Sequence, residues 1–152
     1  MASDVLAHCV EAGLLAPRPA LANPTAPLCG AVVAGAGSAA TRVPQPLHQA
    51  PGLHLYGNQA AAVQALPGAG RMLGLGLSEA MVRHAVRHEW ALTVEDVLAR
   101  RWRALFLDAA AAEGMAAAVA QIVQDELQRA AAPNTDPKLP AFVALAQRYR
   151  LQ

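Results

Sequence analysis

Every aromatic side chain of this 152-residue chain lies at or beyond position 56: Tyr56, Trp90, Trp102, Phe106, Phe142 and Tyr149. Before that point, Pro17, Pro19, Pro24, Pro27, Pro44, Pro46 and Pro51 punctuate the sequence. Each proline removes an amide donor and clashes with the preceding turn, so no long helix can run from Leu14 to Pro51. No acidic residue occurs between Glu11 and Glu79. Apolar residues make up 55% of the chain, but many are alanines, which bury little area each. The core must rest on Leu, Val and the aromatics, and therefore begins near Tyr56.

This asymmetry divides the chain. Residues 1–52 read as a short helix followed by a long Pro/Gly/Ala-rich strap, and residues 53–152 as a helical domain. The strap must lie on something else to be ordered; disorder is the competing reading of residues 14–52. In the short helix, Ser3 is the expected cap, Val5, Leu6, Cys9 and Val10 the apolar positions, and Gly13 the stop.

Periodicity carries the rest. A short helix is expected from Asn58 to Leu66, with Ala61, Val63 and Leu66 available for burial. Gly68, Gly70, Gly74 and Gly76 mark a loop. Ser78 suits the N-cap of a helix reaching Trp90, whose stripe is Met81, Val82, Ala85, Val86 and Glu89. Thr93 with Asp96 forms a capping-box signal for the next helix. Its face collects Val94, Val97, Leu98, Leu105 and Phe106, with Arg101 on the same side. Asp108 should cap a helix buried through Met115, Val119, Ile122, Val123 and Leu127. A last helix follows Asp136 and Pro137, with Pro140 able to move its start, and buries Phe142, Leu145 and Tyr149. Strand signals are too weak to assign. The expected architecture is all-α: a small bundle of about five helices behind the strap.

The composition excludes several function classes. A net charge of +1 with interspersed signs gives no electrostatic footprint for nucleic acid. Cys9 and Cys29 form neither a C-x-x-C pair nor zinc spacing, as expected of a reduced cytoplasmic chain. Asp4 and His8 interrupt any secretory leader, and the uncharged run Gly114–Gln124 is too short for a bilayer.

Candidate sites are few. Val32–Ala40 imitates a strand followed by G-x-G-x-x-A, whose glycines would admit a pyrophosphate at a helix N-terminus. Pro44 and Pro46 stop the required helix, and no acidic residue follows at the ribose-binding distance, so the stretch reads as a loop. His84 and His88 stand four apart on one helix face, the spacing of two zinc ligands, but no third ligand is evident. Two partly exposed histidines are expected instead. The carboxylates Glu79, Glu95, Asp96 and Asp108 sit at helix starts, where capping and the macrodipole account for them. Glu89 and Arg101 fall on apolar stripes, and an unpaired buried charge costs several kcal/mol. A pair between Glu89 and Arg101 or Arg100 is therefore expected across the turn at Ala91–Leu92.

The string VRHEWALTVEDVLARRWRALFLD, Val86 to Asp108, resembles the C-terminal domain of FAD-dependent glycerol-3-phosphate dehydrogenases and glycerophosphate oxidases. The matching elements are His88-Glu89, Glu95-Asp96, Arg100-Arg101 and Leu105-Phe106-Leu107. Tyr56-Gly57 with Ala61 and Val63, and Pro27-Leu28-Cys29-Gly30, extend the likeness to about residues 27–150. Cys29 replaces a proline, and His84 stands where the family often has an aromatic.

The resemblance implies a parent enzyme that oxidises sn-glycerol 3-phosphate to dihydroxyacetone phosphate with FAD. Its acceptor would be quinone or oxygen, and it could lie peripherally at the inner membrane face. Flavin and substrate residues belong to earlier domains, so the chain itself is expected to hold no catalytic, cofactor or metal residue. It would have no activity alone and would dock on the flavin and substrate domains. His88, Glu89, Asp96, Arg100 and Arg101 are carried over as structural residues. A free-standing helical interaction module is the alternative, and a small His84/His88 metal protein a third. A severed domain should expose part of its apolar surface.

Overall fold

The computed structural model describes residues 2–16, 50–130 and 135–150. The first helix, α1 (Ala2–Glu11), begins before Ser3, so that residue is not its cap. Its end is as expected. Gly13 is left-handed, the Gly13 N–H donates to the Val10 carbonyl at 3.0 Å, and the Leu14 N–H donates to the Cys9 carbonyl at 2.9 Å. These two bonds are the Schellman pattern that closes a helix on glycine.

In the second described stretch, a 3-10 segment Leu53–Gln59 runs into α2 (Ala60–Gln64). Neither start has a side-chain cap, and Gly57 adopts positive φ within the turn. This is why the expected single helix is split and short. Val63 is fully buried and Leu66 half-buried, while Ala61 is exposed, contrary to expectation.

A two-stranded antiparallel hairpin follows, β1 (Met72–Gly74) and β2 (Leu77–Ser78). Its central turn residues, Leu75 (φ 47°) and Gly76 (φ 77°), are both left-handed, as a tight hairpin loop requires. Strands of three and two residues offer no alternation to read, so the sequence showed only a glycine-rich loop there. Gly76 is needed for space as well as for φ. A Cβ at this position would lie 1.9 Å from the Pro51 carbonyl oxygen. The Trp102 indole closes over the same turn, donating from Nε1 to the Leu75 carbonyl at 2.9 Å.

Helix α3 (Glu79–His88) starts as expected. Ser78 Oγ accepts from the Met81 amide, and Met81 Sδ accepts from the Ser78 amide, each at 3.4 Å. It stops two residues short of Trp90, which turns left-handed at φ 57°. The Thr93–Asp96 capping box is present. Thr93 Oγ1 accepts from the Asp96 amide at 3.1 Å, and Asp96 Oδ2 accepts from the Thr93 amide at 3.0 Å. The helix it opens does not run on to Leu107. Asp96–Arg101 is a π-helical turn, with the Trp102 amide donating to the Val97 carbonyl at 2.8 Å. Arg103 is then left-handed, and α4 (Ala104–Leu107) restarts. A wide turn and a left-handed break both shift the facing of later residues. Counting at 3.6 through them misplaces Phe106, which is 54% exposed, whereas Leu105 is buried.

Helix α5 (Ala109–Arg129), capped by Asp108 Oδ1 at 2.9 Å from the Ala111 amide, is the central element. It packs against α3, α4, β1 and the last helix, α6 (Leu139–Tyr149). Met115, Val119, Ile122, Val123 and Leu127 are all buried, as the period predicted. Ala112 and Ala116 are fully buried beside them and let neighbouring backbones approach. Pro140 does shift the start of α6, which begins after the left-handed Lys138. Phe142 is buried and Leu145 half-buried, but Tyr149 remains 48% exposed, edge-on to Phe106. The all-α reading holds, with the hairpin as its addition. The strap's Gly35–Ala40 motif and Cys29 lie outside the described residues.

Replacing Gly76 by alanine combines left-handed strain of about 1–2 kcal/mol with a backbone clash. We expect urea denaturation of Gly76→Ala to show a loss of at least about 2 kcal/mol, larger than for Gly114→Ala, where an added Cβ meets open space.

Candidate functional site

Three clusters of charged or titratable side chains stand out among the described residues. The largest lies between α3 and α5. Glu79 and Glu126 are 8% and 2% exposed, so their charges must be matched within the protein. Arg83 bridges them, bonding Glu79 through Nε at 2.9 Å and through Nη2, and Glu126 through Nη1. Arg87 adds a bidentate contact to Glu126, Nε to Oε2 at 2.7 Å and Nη2 to Oε1 at 2.9 Å. Arg71 reaches Glu79 at 2.9 Å from the hairpin side, and Arg129 stands 4.0 Å from Glu126.

The sequence places Arg83 and Arg87 one turn apart on α3, so both can meet a single carboxylate. Gly68 makes room for the opposite end. It is left-handed (φ 81°), and a Cβ there would come within 2.5 Å of the Glu79 side chain. Hydrogen bonds from Arg83 hold the Glu79 carboxyl below its ordinary range against the cost of burial, with Arg71 assisting. Arg87 does the same for Glu126, against burial and with Arg83. Both are anions whose oxygens face arginines. Sequence reasoning missed this lattice by treating Glu79 as a helix-start charge. It also omitted Glu126, although that residue falls on the α5 stripe between Val123 and Leu127.

The second cluster is the Asp96 cap. Asp96 Oδ2 accepts from the Leu92 amide at 3.1 Å and from Thr93 Oγ1 at 2.9 Å. Its Oδ1 takes Arg100 Nη1 at 2.6 Å and lies 3.6 Å from Arg101 Nη1. Arg100 also reaches Glu95 at 2.7 Å. Burial raises the Asp96 carboxyl, but the bonds from Thr93 and Leu92 and the Arg100 charge outweigh it and hold the group low. The expected carboxylate pair of Glu89 with Arg101 or Arg100 is not formed, since Arg100 is held by Asp96 and Glu95. Arg101 instead donates through Nη2 to the backbone carbonyl of Glu89, closing the α3 C-terminus. The reason is physical: the carbonyls of the last helical turn lack partners and compete for the guanidinium.

The third cluster is histidine. His84 is 4% exposed rather than partly exposed, and its ring lies edge-on to Tyr56 at 5.2 Å. The His88 ring is 4.9 Å away, and His88 itself is exposed. His84 Nε2 has no hydrogen-bond partner, and the nearest carboxylate, Glu89 Oε1, is 3.7 Å off. Burial pushes the His84 imidazole below its ordinary 6.5, partly opposed by Glu89 and reinforced by His88. The Tyr56 phenol is pushed well up by burial, with the Glu89 charge adding to it. A base beside a carboxylate is half of a proton-transfer arrangement; the hydroxyl placed beside it is the buried Tyr56 phenol, which stays protonated. Among the described residues no group of three His, Cys, Asp or Glu side chains could hold a metal ion.

Two concavities among the described residues do not converge on these groups. A pocket of about 200 Å³ opens beside Pro51, Leu53, Val63, Met72 and Met81, with no titratable side chain in its lining. A broader groove of about 620 Å³ runs along Leu105–Ala110 with Tyr149 and Arg150. Its one carboxylate, Asp108, is occupied in capping α5. No described helix is long and apolar enough to cross a membrane.

Residues 25–133 match the family model of the C-terminal domain of alpha-glycerophosphate oxidase. The match spans more than half of the chain, which therefore belongs to that family. No curated protein and no solved structure matches it significantly.

Removing one member of the lattice strands the others. Glu126→Leu leaves Arg83 and Arg87 facing an apolar side chain, and should cost about 3–5 kcal/mol in urea denaturation. Glu126→Leu combined with Arg87→Met, which leaves Arg83 on Glu79, should recover part of that loss. The pH dependence has a definite sign. Unfolded glutamates take up protons near 4.5, whereas folded Glu79 and Glu126 do so only at lower pH. The lattice contribution is thus complete above about pH 4.5 and fades as pH falls through the folded values. The urea midpoint should drop between pH 6 and pH 3, and less steeply in the double variant, which lacks the Glu126 carboxyl. In an NMR titration, His84 should protonate below 6.5, and lower still in Glu89→Gln.

Proposed function

From this family membership, we propose that the chain is the non-catalytic C-terminal helical domain of an FAD-dependent sn-glycerol-3-phosphate dehydrogenase or oxidase. Residues 53–152 form the docking domain, and residues 1–52 carry the helix and strap that lie along the parent's other domains. The parent oxidises glycerol 3-phosphate to dihydroxyacetone phosphate. FAD and the substrate-binding residues belong to the flavin and substrate domains, and no step of the reaction is assigned to this chain.

The observation that carries this reading is the employment of the charges. The carboxylates of Glu79, Asp96 and Glu126 are taken up by arginines or helix amides, and none lines either concavity. His88, Glu89, Asp96, Arg100 and Arg101 accordingly serve the fold at the α3–α4 junction. Surface exposure points the same way. Trp90, Phe106 and Leu107 are 82%, 54% and 62% exposed, as expected where a partner surface covers them.

The test is reconstitution. The separately expressed flavin and substrate domains of the same source are mixed with this chain and assayed for glycerol-3-phosphate oxidation. The chain alone should neither turn over substrate nor retain flavin, and the mixture should co-elute in gel filtration and oxidise glycerol 3-phosphate. A folded chain that stays separate from those domains would point to a free-standing interaction module.

A further inference from the structure

Helix α3 carries an ionisable ring in its contact with the segment that precedes the hairpin. His84 is 4% exposed, and its Nε2 has no hydrogen-bond partner. A neutral imidazole tolerates that position. An imidazolium carries a charge and a donor on each ring nitrogen, all of which need partners or water. The cover over the ring is Tyr56 of the 3-10 segment, edge-on at 5.2 Å. Proton uptake at His84 therefore sets the ring's need for water against its contact with Tyr56.

The two sides of that contact are unequally held. Helix α3 is fixed by the Ser78 cap at its start, by Arg83 and Arg87 on Glu126, and by Arg101 on the Glu89 carbonyl at its end. The Leu53–Gln59 segment and α2 have no side-chain caps, bend at Gly57, and bury one residue fully, Val63. Elements with few buried contacts open locally at low free energy while the rest of a domain stays folded. Water thus reaches a charged His84 with least disruption when this segment lifts.

The charges around His84 do not remove the need. Burial disfavours the imidazolium most strongly, Glu89 opposes that in part, and His88 adds to it. Glu89 Oε1 stands 3.7 Å from Nε2, beyond a hydrogen bond, and the exposed His88 ring lies 4.9 Å away. The 3-10 segment brings His54 and Tyr56, whereas α2 and β2 have no titratable side chain. From the π-helical turn Arg101 is turned to the Glu89 carbonyl, and from α5 Glu126 is taken up by Arg83 and Arg87.

We propose that His84 is a proton-operated latch: taking up a proton, it releases Tyr56 and the Leu53–Gln64 segment while α3, α5 and their ion lattice stay folded. The same segment supplies Leu53, Val63 and Gln64 to the lining of the 200 Å³ pocket, so release opens that apolar space to water. It is also where residues 1–52 join the helical domain. The latch is a property of the chain itself and does not depend on the docking role. Its sign follows from burial. Folded His84 takes its proton below 6.5, so the open form, with the ring in water, binds the proton first as pH falls. The latch is closed above about pH 6.5 and loosens below it, by at most about tenfold per pH unit, the limit for one proton. Between about pH 7.5 and pH 5.5 Glu79 and Glu126 stay ionised, so the lattice contribution is constant.

The experiment is native-state hydrogen exchange of the full chain by NMR at those two pH values, corrected for intrinsic amide exchange. The Ala65 and Leu66 amides report the segment, because they donate to the Ala61 and Val63 carbonyls. The Val119 and Val123 amides of α5 report unfolding of the whole domain. In the wild type the opening constant at Ala65 and Leu66 should exceed that of α5 by at least about tenfold, and should rise about threefold to tenfold at the lower pH. His84→Phe keeps a ring against Tyr56 but takes no proton, and should hold the constant level. His84→Gln, equally unable to take a proton, does the same with a smaller side chain, and circular dichroism establishes that each variant is folded. His54→Gln should respond as wild type. Exchange of Ala65 and Leu66 in step with α5, a wild-type rise below about twofold, a rise that persists in a folded His84 variant, or a rise lost in His54→Gln overturns the latch.

Discussion

A carboxylate on the buried stripe of the longest helix organises this domain. Glu126 occupies a position where α5 would otherwise present an aliphatic side chain, and at 2% exposure it has almost no access to water. Such a group is tolerable only with charged donors at hand. Arg83 and Arg87, one turn apart on α3, supply them, and Arg83 passes the connection on to Glu79 at the start of the same helix. Sliding α3 along α5 by a turn would break this match, so the pairs select one register where apolar packing alone would accept several. Glu79 in turn depends on Gly68, which leaves the space its side chain fills. The loop before α3, the helix and its partner are thus set by the same few ions.

The rest of the architecture follows from how the chain leaves this pair of helices. Left-handed residues mark the exits: Trp90 after α3, Arg103 before α4 and Lys138 before α6. Between the first two, the π-helical turn places Arg101 where it closes α3 and Trp102 where it covers the hairpin. The charges near this junction have backbone and cap partners, which leaves the apolar groups, not the charges, as the features without a use inside the domain. That distribution is what the proposed docking role would require. The pocket beside Pro51 and Met81 has no titratable side chain in its lining, and the exposed surface carries tryptophan, phenylalanine and leucine.

Much of this is legible in the amino-acid sequence. The caps at Ser78, Thr93 and Asp108 are readable because capping uses short-range chemistry between residues three apart. The α5 stripe is readable because 21 regular residues keep their period. The hairpin is not, since its strands are too short to alternate. Phe106 is misplaced because the π-turn and Arg103 interrupt the count, and nothing local announces either. The Glu126 lattice depends on α3 packing against α5 across about forty residues of sequence, a contact that no local pattern reveals. The depth of His84 is not legible, because it depends on Tyr56 arriving from a distant segment. The glycine-rich stretch Gly35–Ala40 lies outside the described residues.

On this reading the domain holds and positions its partners but does no chemistry. The most direct test is the turnover of the reassembled enzyme when the arrangement closest to an acid–base site, His88 and Glu89 beside His84, is neutralised. His88→Gln with Glu89→Gln should leave kcat for glycerol 3-phosphate within about twofold of wild type, since removal of a positioned general acid or base costs about 10²–10⁴-fold. A fall of a hundredfold or more in kcat, with the complex still assembled, would contradict the account and place these side chains in the reaction.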